Sequence, residues 1–175
     1  MTSAIFDKIS LDDIMIRTVL NPGDMGYVTY LHGRLYSLEY QYGIGFEQYV
    51  ASGLNEFYQN YDAEKDGVWI AEFNERMVGF LLLMHRESSA QLRYFLVDPS
   101  FRGIGLGKKL MELFMELLQR KGYSSAYLWT TSELHSAASL YTRYGFRLVE
   151  EKVSEAFGKR VTEQRYDWID DGSRT

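Results

Sequence analysis

The chain has 175 residues, a normal size for one domain with a single hydrophobic core. Hydrophobic residues make up 46% and charged residues 25% of the chain, which excludes a disordered or fibrous protein. The formal net charge of −5 argues against a general nucleic-acid binder. With no cysteine, the chain can form no disulfide, cysteine zinc site or thiol nucleophile.

Neither a metal site nor a membrane segment is indicated. The three histidines, His32, His85 and His135, are scattered and lack the spacing of metal ligands. The longest apolar run, residues 78–84, is too short to cross a bilayer. The N-terminus lacks the basic and apolar regions of a signal peptide. We therefore expect a cytoplasmic protein that has no nucleic-acid or membrane partner.

The order of elements predicts one mixed α/β domain over residues 13–170, after a loosely held leader at 1–12. The predicted helices cover 24–39, 46–60, 105–121 and 133–144. The predicted strands cover 14–20, 67–73, 77–85, 91–97, 126–130, 146–153 and 160–168. Leucines on one face mark the third helix, and Gly122 supplies its left-handed cap. That helix joins strands 91–97 and 126–130, so these two strands should be parallel.

A glycine-rich turn over residues 98–109 connects a strand directly to this third helix. Gly103, Gly105 and Gly107 allow a close approach of the backbone to a ligand, because no Cβ is in the way. The turn presents N–H groups at a helix N-terminus, which favours an anion such as a diphosphate. Arg102 and Lys108 add positive charge.

Two well-known phosphate loops do not fit this turn. A Walker loop needs a glycine at 102 and a hydroxyl residue at 109, where arginine and lysine stand. A dinucleotide fingerprint needs a glycine at 108, which is lysine. The remaining alternative is a purely structural turn, whose glycines serve tight helix–sheet packing.

In its context the turn resembles the acetyl-CoA motif of the GNAT superfamily of N-acetyltransferases, (Gln/Arg)-x-x-Gly-x-(Gly/Ala), through Arg102, Gly105 and Gly107. A second segment, residues 137–146, is similar to the family's Ala-x-x-Leu-Tyr-x-x-x-Gly-Phe pattern. The resemblance covers nearly the whole chain. Residues 26–33 and 163–166 also resemble the acetyltransferase half of bacterial MarR-type regulator fusions, here expected without the winged helix.

The resemblance implies a GNAT fold, with a mostly antiparallel sheet and a central parallel pair that splays apart. It implies a direct acetyl transfer from acetyl-CoA to a primary amine, of a small molecule or a protein, in a ternary complex. It also implies the residues that bind the cofactor. The backbone of Phe95, Leu96 and Val97 would hold the pantetheine arm, and the pyrophosphate would be held by Arg102, Gly103, Ile104, Gly105, Leu106, Gly107 and Lys108.

Tyr141 stands at the tyrosine of the second motif, where the resemblance implies a general acid for the thiolate leaving group. A phenol is a proton donor at neutral pH, which suits that role. The alternative is an aromatic core residue beside Leu140 and Tyr144.

The general base is open, because Gln91 stands where histone-type members carry a glutamate. Glutamine cannot take up a proton, and Arg93 on the same face would repel a protonated amine. Glu39, Glu47 and Glu133 are candidate replacements, each with a solvated surface carboxylate as the alternative.

Eight of the 14 tyrosines lie between residues 27 and 61, the segment that walls the acceptor site in the family. An aromatic groove near Glu39 would suit a cationic amine. The resemblance leaves the acceptor unidentified and allows a monomer or a homodimer. The rival hypothesis is a catalytically silent acyl-CoA-binding sensor, and an enzyme of nucleotide phosphates is a third.

Overall fold

The computed structural model describes residues 9–172. After a 3-10 turn at Leu11–Asp13, four helices and seven strands follow. The helices are α1 (Asp24–Tyr40), α2 (Ile44–Gln59), α3 (Leu106–Arg120) and α4 (His135–Arg143). The strands are β1 (Met15–Arg17), β2 (Gly67–Phe73), β3 (Arg76–Arg86), β4 (Ser89–Val97), β5 (Ser125–Thr131), β6 (Arg147–Ser154) and β7 (Val161–Ile169).

All seven strands form a single sheet in the order β1-β2-β3-β4-β5-β7-β6. Every neighbouring pair is antiparallel except β4 and β5, which are joined by the crossover helix α3. The predicted fold class, a mixed and mostly antiparallel sheet with one central parallel pair, is confirmed.

Helices cover both faces of the sheet, because alternate residues of the central strands point to opposite sides. Val68 and Ile70 of β2 pack with α1 and α2, whereas Trp69 and Ala71 pack with α3. Two hydrophobic clusters result, one on each face, and the strands β2, β3 and β4 contribute to both.

Strands β4 and β5 separate soon after they pair, which opens the middle of the sheet. Their parallel pairing consists of Ala90 with Ala126 and Gln91 with Tyr127. Residues 92–97 of β4 therefore keep backbone N–H and C=O groups on a free edge. The predicted splaying of the two strands is confirmed.

A bulge in β4 lies at this free edge. Between the partners Leu82–Arg93 and Phe80–Leu96 the register shifts, and Tyr94 takes a positive φ of 56°. The extra residue disrupts strict alternation, so Arg93 and Tyr94 both reach the α2 side, where they lie against Gly53. Bulges re-aim side chains in this way beside functional sites.

The predicted bounds differ from the structure by at most two residues, except at the end of the first strand. The first strand is shorter than the predicted 14–20, because the chain leaves the sheet after Arg17. The predicted helix 133–144 begins at His135, since β5 continues to Thr131 and a turn follows. Gly122 has the expected positive φ of 73°. Residues 1–8 of the predicted leader lie outside the described residues, and Ile9 and Leu11 pack at the edge of the core.

Candidate active site

Two cavities meet where β4 and β5 separate. The larger, of about 640 Å³, runs along the free edge of β4 to the glycine-rich turn, and we call it the cofactor groove. The smaller, of about 100 Å³, lies between the sheet and helices α1 and α2, and we call it the acceptor cavity. Four residues line both: Tyr36, Phe95, Leu134 and Tyr141. A molecule in the groove can therefore reach a molecule in the cavity.

The cofactor groove contains most of the predicted cofactor residues. Phe95, Leu96 and Val97 line it from the free edge of β4, where their backbone can bond an extended ligand like a further strand. The turn contributes Arg102, Gly103, Gly105, Gly107 and Lys108. Ile104 and Leu106 are absent from this lining, because Leu106 is buried in the core and Ile104 packs against it. Their predicted contacts could come only from backbone N–H groups.

The turn is an open cradle at the start of α3. Gly103 and Gly105 have φ values of 81° and 92°, in the left-handed region that favours glycine. Gly105 is the N-cap of α3, so the first N–H groups of that helix follow it. Backbone donors arranged in this way at a helix N-terminus can bind a phosphate anion.

Arg102 is held across the groove by Glu39 of α1. Its two terminal nitrogens donate hydrogen bonds of 2.8 and 2.9 Å to the two Glu39 carboxylate oxygens, and Nε donates to the Val97 carbonyl at 3.2 Å. Such a two-pronged contact fixes the guanidinium plane. Glu39 thus partners Arg102 in the cofactor groove and is absent from the lining of the acceptor cavity.

Tyr141 lies where the groove and the cavity meet. Its side chain is buried, and its ring contacts Phe95, Phe146 and Tyr166. Burial raises the pKa of its phenol above the ordinary value, so the hydroxyl keeps its proton at neutral pH. The predicted proton donor and the alternative core aromatic are therefore both compatible with its packing, but its place at the junction favours the donor.

Aromatic rings form much of the acceptor cavity, as the dense tyrosines of the first two helices suggest. Tyr36, Tyr42 and Tyr49 line it, together with Phe46 and Phe157. Three other tyrosines of that segment, at positions 30, 58 and 61, are exposed on the surface instead. Only part of the tyrosine-rich segment therefore faces the site.

Two of the three predicted base candidates line neither cavity. Glu47 of α2 lies against Gly33 of α1. Glu133 lies outside both linings, next to the lining residue Tyr42. It accepts hydrogen bonds from Lys159 at 2.5 Å and from Tyr42 at 3.1 Å. Among the described residues that line the acceptor cavity, the one carboxylate is Glu163 of β7. Sequence spacing gave no signal for it, because antiparallel pairing of β7 with β5 brings it beside Thr131.

His32 of α1 also lines the acceptor cavity and is buried, with 3% of its surface exposed. Its Nδ1 lies 2.9 Å from the Val28 carbonyl, to which it donates in the tautomer that this contact requires. Burial lowers the pKa of the imidazole to about 4, so the ring is neutral at pH 7. It adds no positive charge to the cavity.

Within residues 9–172, no helix is both long and apolar enough to cross a membrane. In the same part of the chain, no three His, Asp or Glu side chains are grouped so that they could hold a metal ion.

The sequence matches the profile of the Acetyltransferase (GNAT) family over residues 34–146. The chain belongs to this family. The matched region runs from within α1 to the residue before β6. It includes the four residues that line both cavities. The predicted resemblance is confirmed, while the likeness to MarR-type fusions stays a prediction.

Individual relatives agree with the family. The chain is 36% identical over 103 residues to the uncharacterized N-acetyltransferase YjgM of Escherichia coli, covering 55% of this chain and 60% of that protein. The chain thus covers only part of the length of the curated relatives that it matches. Its fold is similar to an acetyltransferase of Streptococcus agalactiae, with a TM-score of 0.69, 25% identity, and 90% and 98% of the two chains covered.

A further neighbour was solved with acetyl-CoA bound. It is a GNAT family acetyltransferase from Elizabethkingia anophelis, with a TM-score of 0.62 and 15% identity, and the match covers 90% of this chain and 99% of that one. At this identity the likeness concerns the fold.

Proposed function

We propose that the protein is an acetyl-CoA-dependent N-acetyltransferase, which transfers the acetyl group directly to a primary amine in a ternary complex. The observation that carries the proposal is the meeting of the cofactor groove and the acceptor cavity at Tyr36, Phe95, Leu134 and Tyr141. Two substrates can approach each other there without leaving the protein. The absence of cysteine supports a direct transfer over a thiol-bound acetyl-enzyme.

Acetyl-CoA suits the groove in both shape and charge. The free edge of β4 at residues 95–97 offers backbone hydrogen bonds to a pantetheine arm, which contains two amides. A pyrophosphate bound at the turn would meet the N–H groups that follow Gly105, where the helix dipole favours negative charge. No side chain blocks this approach at Gly103, Gly105 or Gly107.

The chemistry requires two proton movements, and the site offers one group for each. The amine nitrogen bonds to the thioester carbon, and the carbon–sulfur bond breaks. Tyr141, whose hydroxyl is protonated at neutral pH because burial raises the pKa of its phenol, gives that proton to the departing sulfur. Glu163 takes up the proton that the amine loses, directly or through a water molecule. Solvent then restores both groups.

The alternative hypothesis is an acyl-CoA-binding sensor that catalyses no transfer. It is favoured by Gln91, which stands where histone-type members of the family carry a glutamate. In the structure Gln91 lines the acceptor cavity, and its side-chain oxygen accepts hydrogen bonds from Arg86 at 2.8 Å and from Tyr127 at 3.4 Å. The presence of Glu163 on the cavity wall provides a substitute carboxylate, which supports the enzyme.

The test of this mechanism is the Tyr141→Phe variant. The ring and its contacts remain while the proton donor is lost, so kcat should fall about 10²- to 10⁴-fold, the range for a general acid. The KM for acetyl-CoA should change little, because the turn and the β4 edge bind it. A variant with normal kcat would leave Tyr141 as a core aromatic, and tight acetyl-CoA binding by a wild type that never turns over would favour the sensor.

A further inference from the structure

The acceptor cavity contains a buried cation that the acetyl transfer itself does not use. Arg93 of β4 lines the cavity, and only 10% of its side chain is exposed. Its guanidinium lies over two rings, 4.7 Å from the centre of Tyr94 and 5.4 Å from that of Tyr49. These ring contacts hold the guanidinium in place, with one terminal nitrogen toward Glu56 and the other against Gly53 of α2.

The carboxylate that pairs with Arg93, Glu56, also pairs with Arg86. Arg93 Nη1 lies 3.5 Å from Glu56, and the guanidinium donates no hydrogen bond within residues 9–172. Glu56 is already bound by Arg86, at 2.5 Å, and is 44% exposed to solvent. Two arginines therefore share one carboxylate, and the more buried of the two has the longer contact.

Three of the carboxylates described above each pair with a cation: Glu163 with Lys152 at 3.6 Å, Glu133 with Lys159 at 2.5 Å and Glu39 with Arg102 at 2.8 Å. His32 is neutral, as shown above. Arg93 shares its one counter-charge with Arg86, so its positive charge on the cavity wall is only partly offset, which is costly in a buried position.

Two further polar groups of the cavity lack partners. The hydroxyls of Tyr94 and Thr130 are buried and form no hydrogen bond among the described residues. Both residues line the acceptor cavity. Buried hydroxyls without a partner are rare in proteins, and at a binding site they indicate a ligand with polar atoms.

We propose that the acceptor amine also carries a carboxylate, as an amino acid does, and that Arg93 binds this carboxylate. The proposal rests on the proposed function and narrows its substrate class. Guanidinium and carboxylate fit each other in a two-pronged contact. Arg93 and Phe95 both line the acceptor cavity, so the carboxylate lies within a small molecule's length of the reacting amine.

The test compares amino acids with their uncharged amides as acceptors, because each pair has the same amine. CoA release is measured for the wild type, Arg93→Gln and Glu56→Gln. The wild type should prefer the acids in kcat/KM. Arg93→Gln should raise the KM for the acids by about 10- to 100-fold, the loss expected for hydrogen bonds to a charged group, and change kcat/KM for the amides far less.

Glu56→Gln is expected to change the KM for the acids in the opposite direction. This difference distinguishes a role of Arg93 in binding the acid from a purely structural role. The substitution removes the competitor for Arg93, so the KM for the acids should fall, by no more than about fivefold given the exposure of this pair. If the bridge between Arg93 and Glu56 were only structural, both variants would impair the enzyme alike. Melting temperatures will show whether Arg93→Gln folds. If it does not, the change in KM of Glu56→Gln decides whether Arg93 binds the carboxylate.

The outcomes distinguish this inference from the proposed function. Acetylation of neutral amines with equal or lower activity on the acids would overturn the carboxylate proposal and leave the acetyltransferase in place. Bound acetyl-CoA with no acetylation of any acid, amide, arylamine or polyamine would overturn both.

Discussion

Protonation of His32 should limit the stability of the protein in mild acid. In the folded state the pKa of this buried imidazole is about 4, against 6.5 for a free one. Between these two pH values the unfolded chain binds a proton that the folded chain does not, so stability falls as the pH drops from 6.5 to 4. At 1.36 kcal/mol per pKa unit, the loss is about 3 kcal/mol when the pH falls from 7 to 4.

The assay is thermal unfolding as a function of pH, with His32→Phe as the variant. Phenylalanine keeps the ring among Tyr36, Phe46 and Tyr94, and it cannot be protonated. For a chain of this size a loss of about 3 kcal/mol lowers the Tm by roughly 6–12 °C. The variant should not show this loss, so its Tm should fall by that much less than the Tm of the wild type between pH 7 and pH 4. His135→Gln, at an exposed position, is the matched control and should follow the wild type. Parallel loss of Tm in all three proteins would refute the reasoning.

Three further predictions concern the groove and the core. Gly105→Val forces a branched side chain into a left-handed backbone with φ of 92°, so calorimetry should show acetyl-CoA binding weakened at least about tenfold; an unchanged affinity would contradict the predicted cradle. Arg102→Glu places a second carboxylate opposite Glu39 at the groove, and the same titration should show weaker binding that improves with salt. Phe114→Ala empties a fully buried site of α3 and should lower the free energy of unfolding by about 3–5 kcal/mol in urea, whereas a loss below 1 kcal/mol would mean that the core collapses around it.

The sequence contained enough information for the fold because its signals there are local. The amphipathic helix after the glycine-rich turn has a clear period, and the turn's glycines are needed by the left-handed backbone they adopt at Gly103 and Gly105. A strand, a crossover helix and a second strand can pair only in parallel. These features required no knowledge of distant contacts.

The acceptor cavity could be predicted only in part, since long-range contacts form it. Glu163 becomes a cavity residue through the pairing of β7 with β5, more than 30 residues away in sequence. The positive φ of Tyr94 comes from a bulge that its residue type does not favour, and this bulge directs Arg93 toward α2. The strand pattern predicted that Arg93 faces the cleft, but it gave no information on the counter-charge that its guanidinium shares with Arg86.

The central claim, that the two cavities meet so that an acetyl group can pass between them, is tested most directly by analysing the products. Wild-type protein is incubated with acetyl-CoA and a mixture of amino acids, their amides and other amines, and the mixture is examined by mass spectrometry. The account predicts one N-acetylated amine for each free CoA released, with a carboxylate-bearing amine as the main product. CoA release without any acetylated amine, or stable acetyl-CoA binding without turnover, would contradict it.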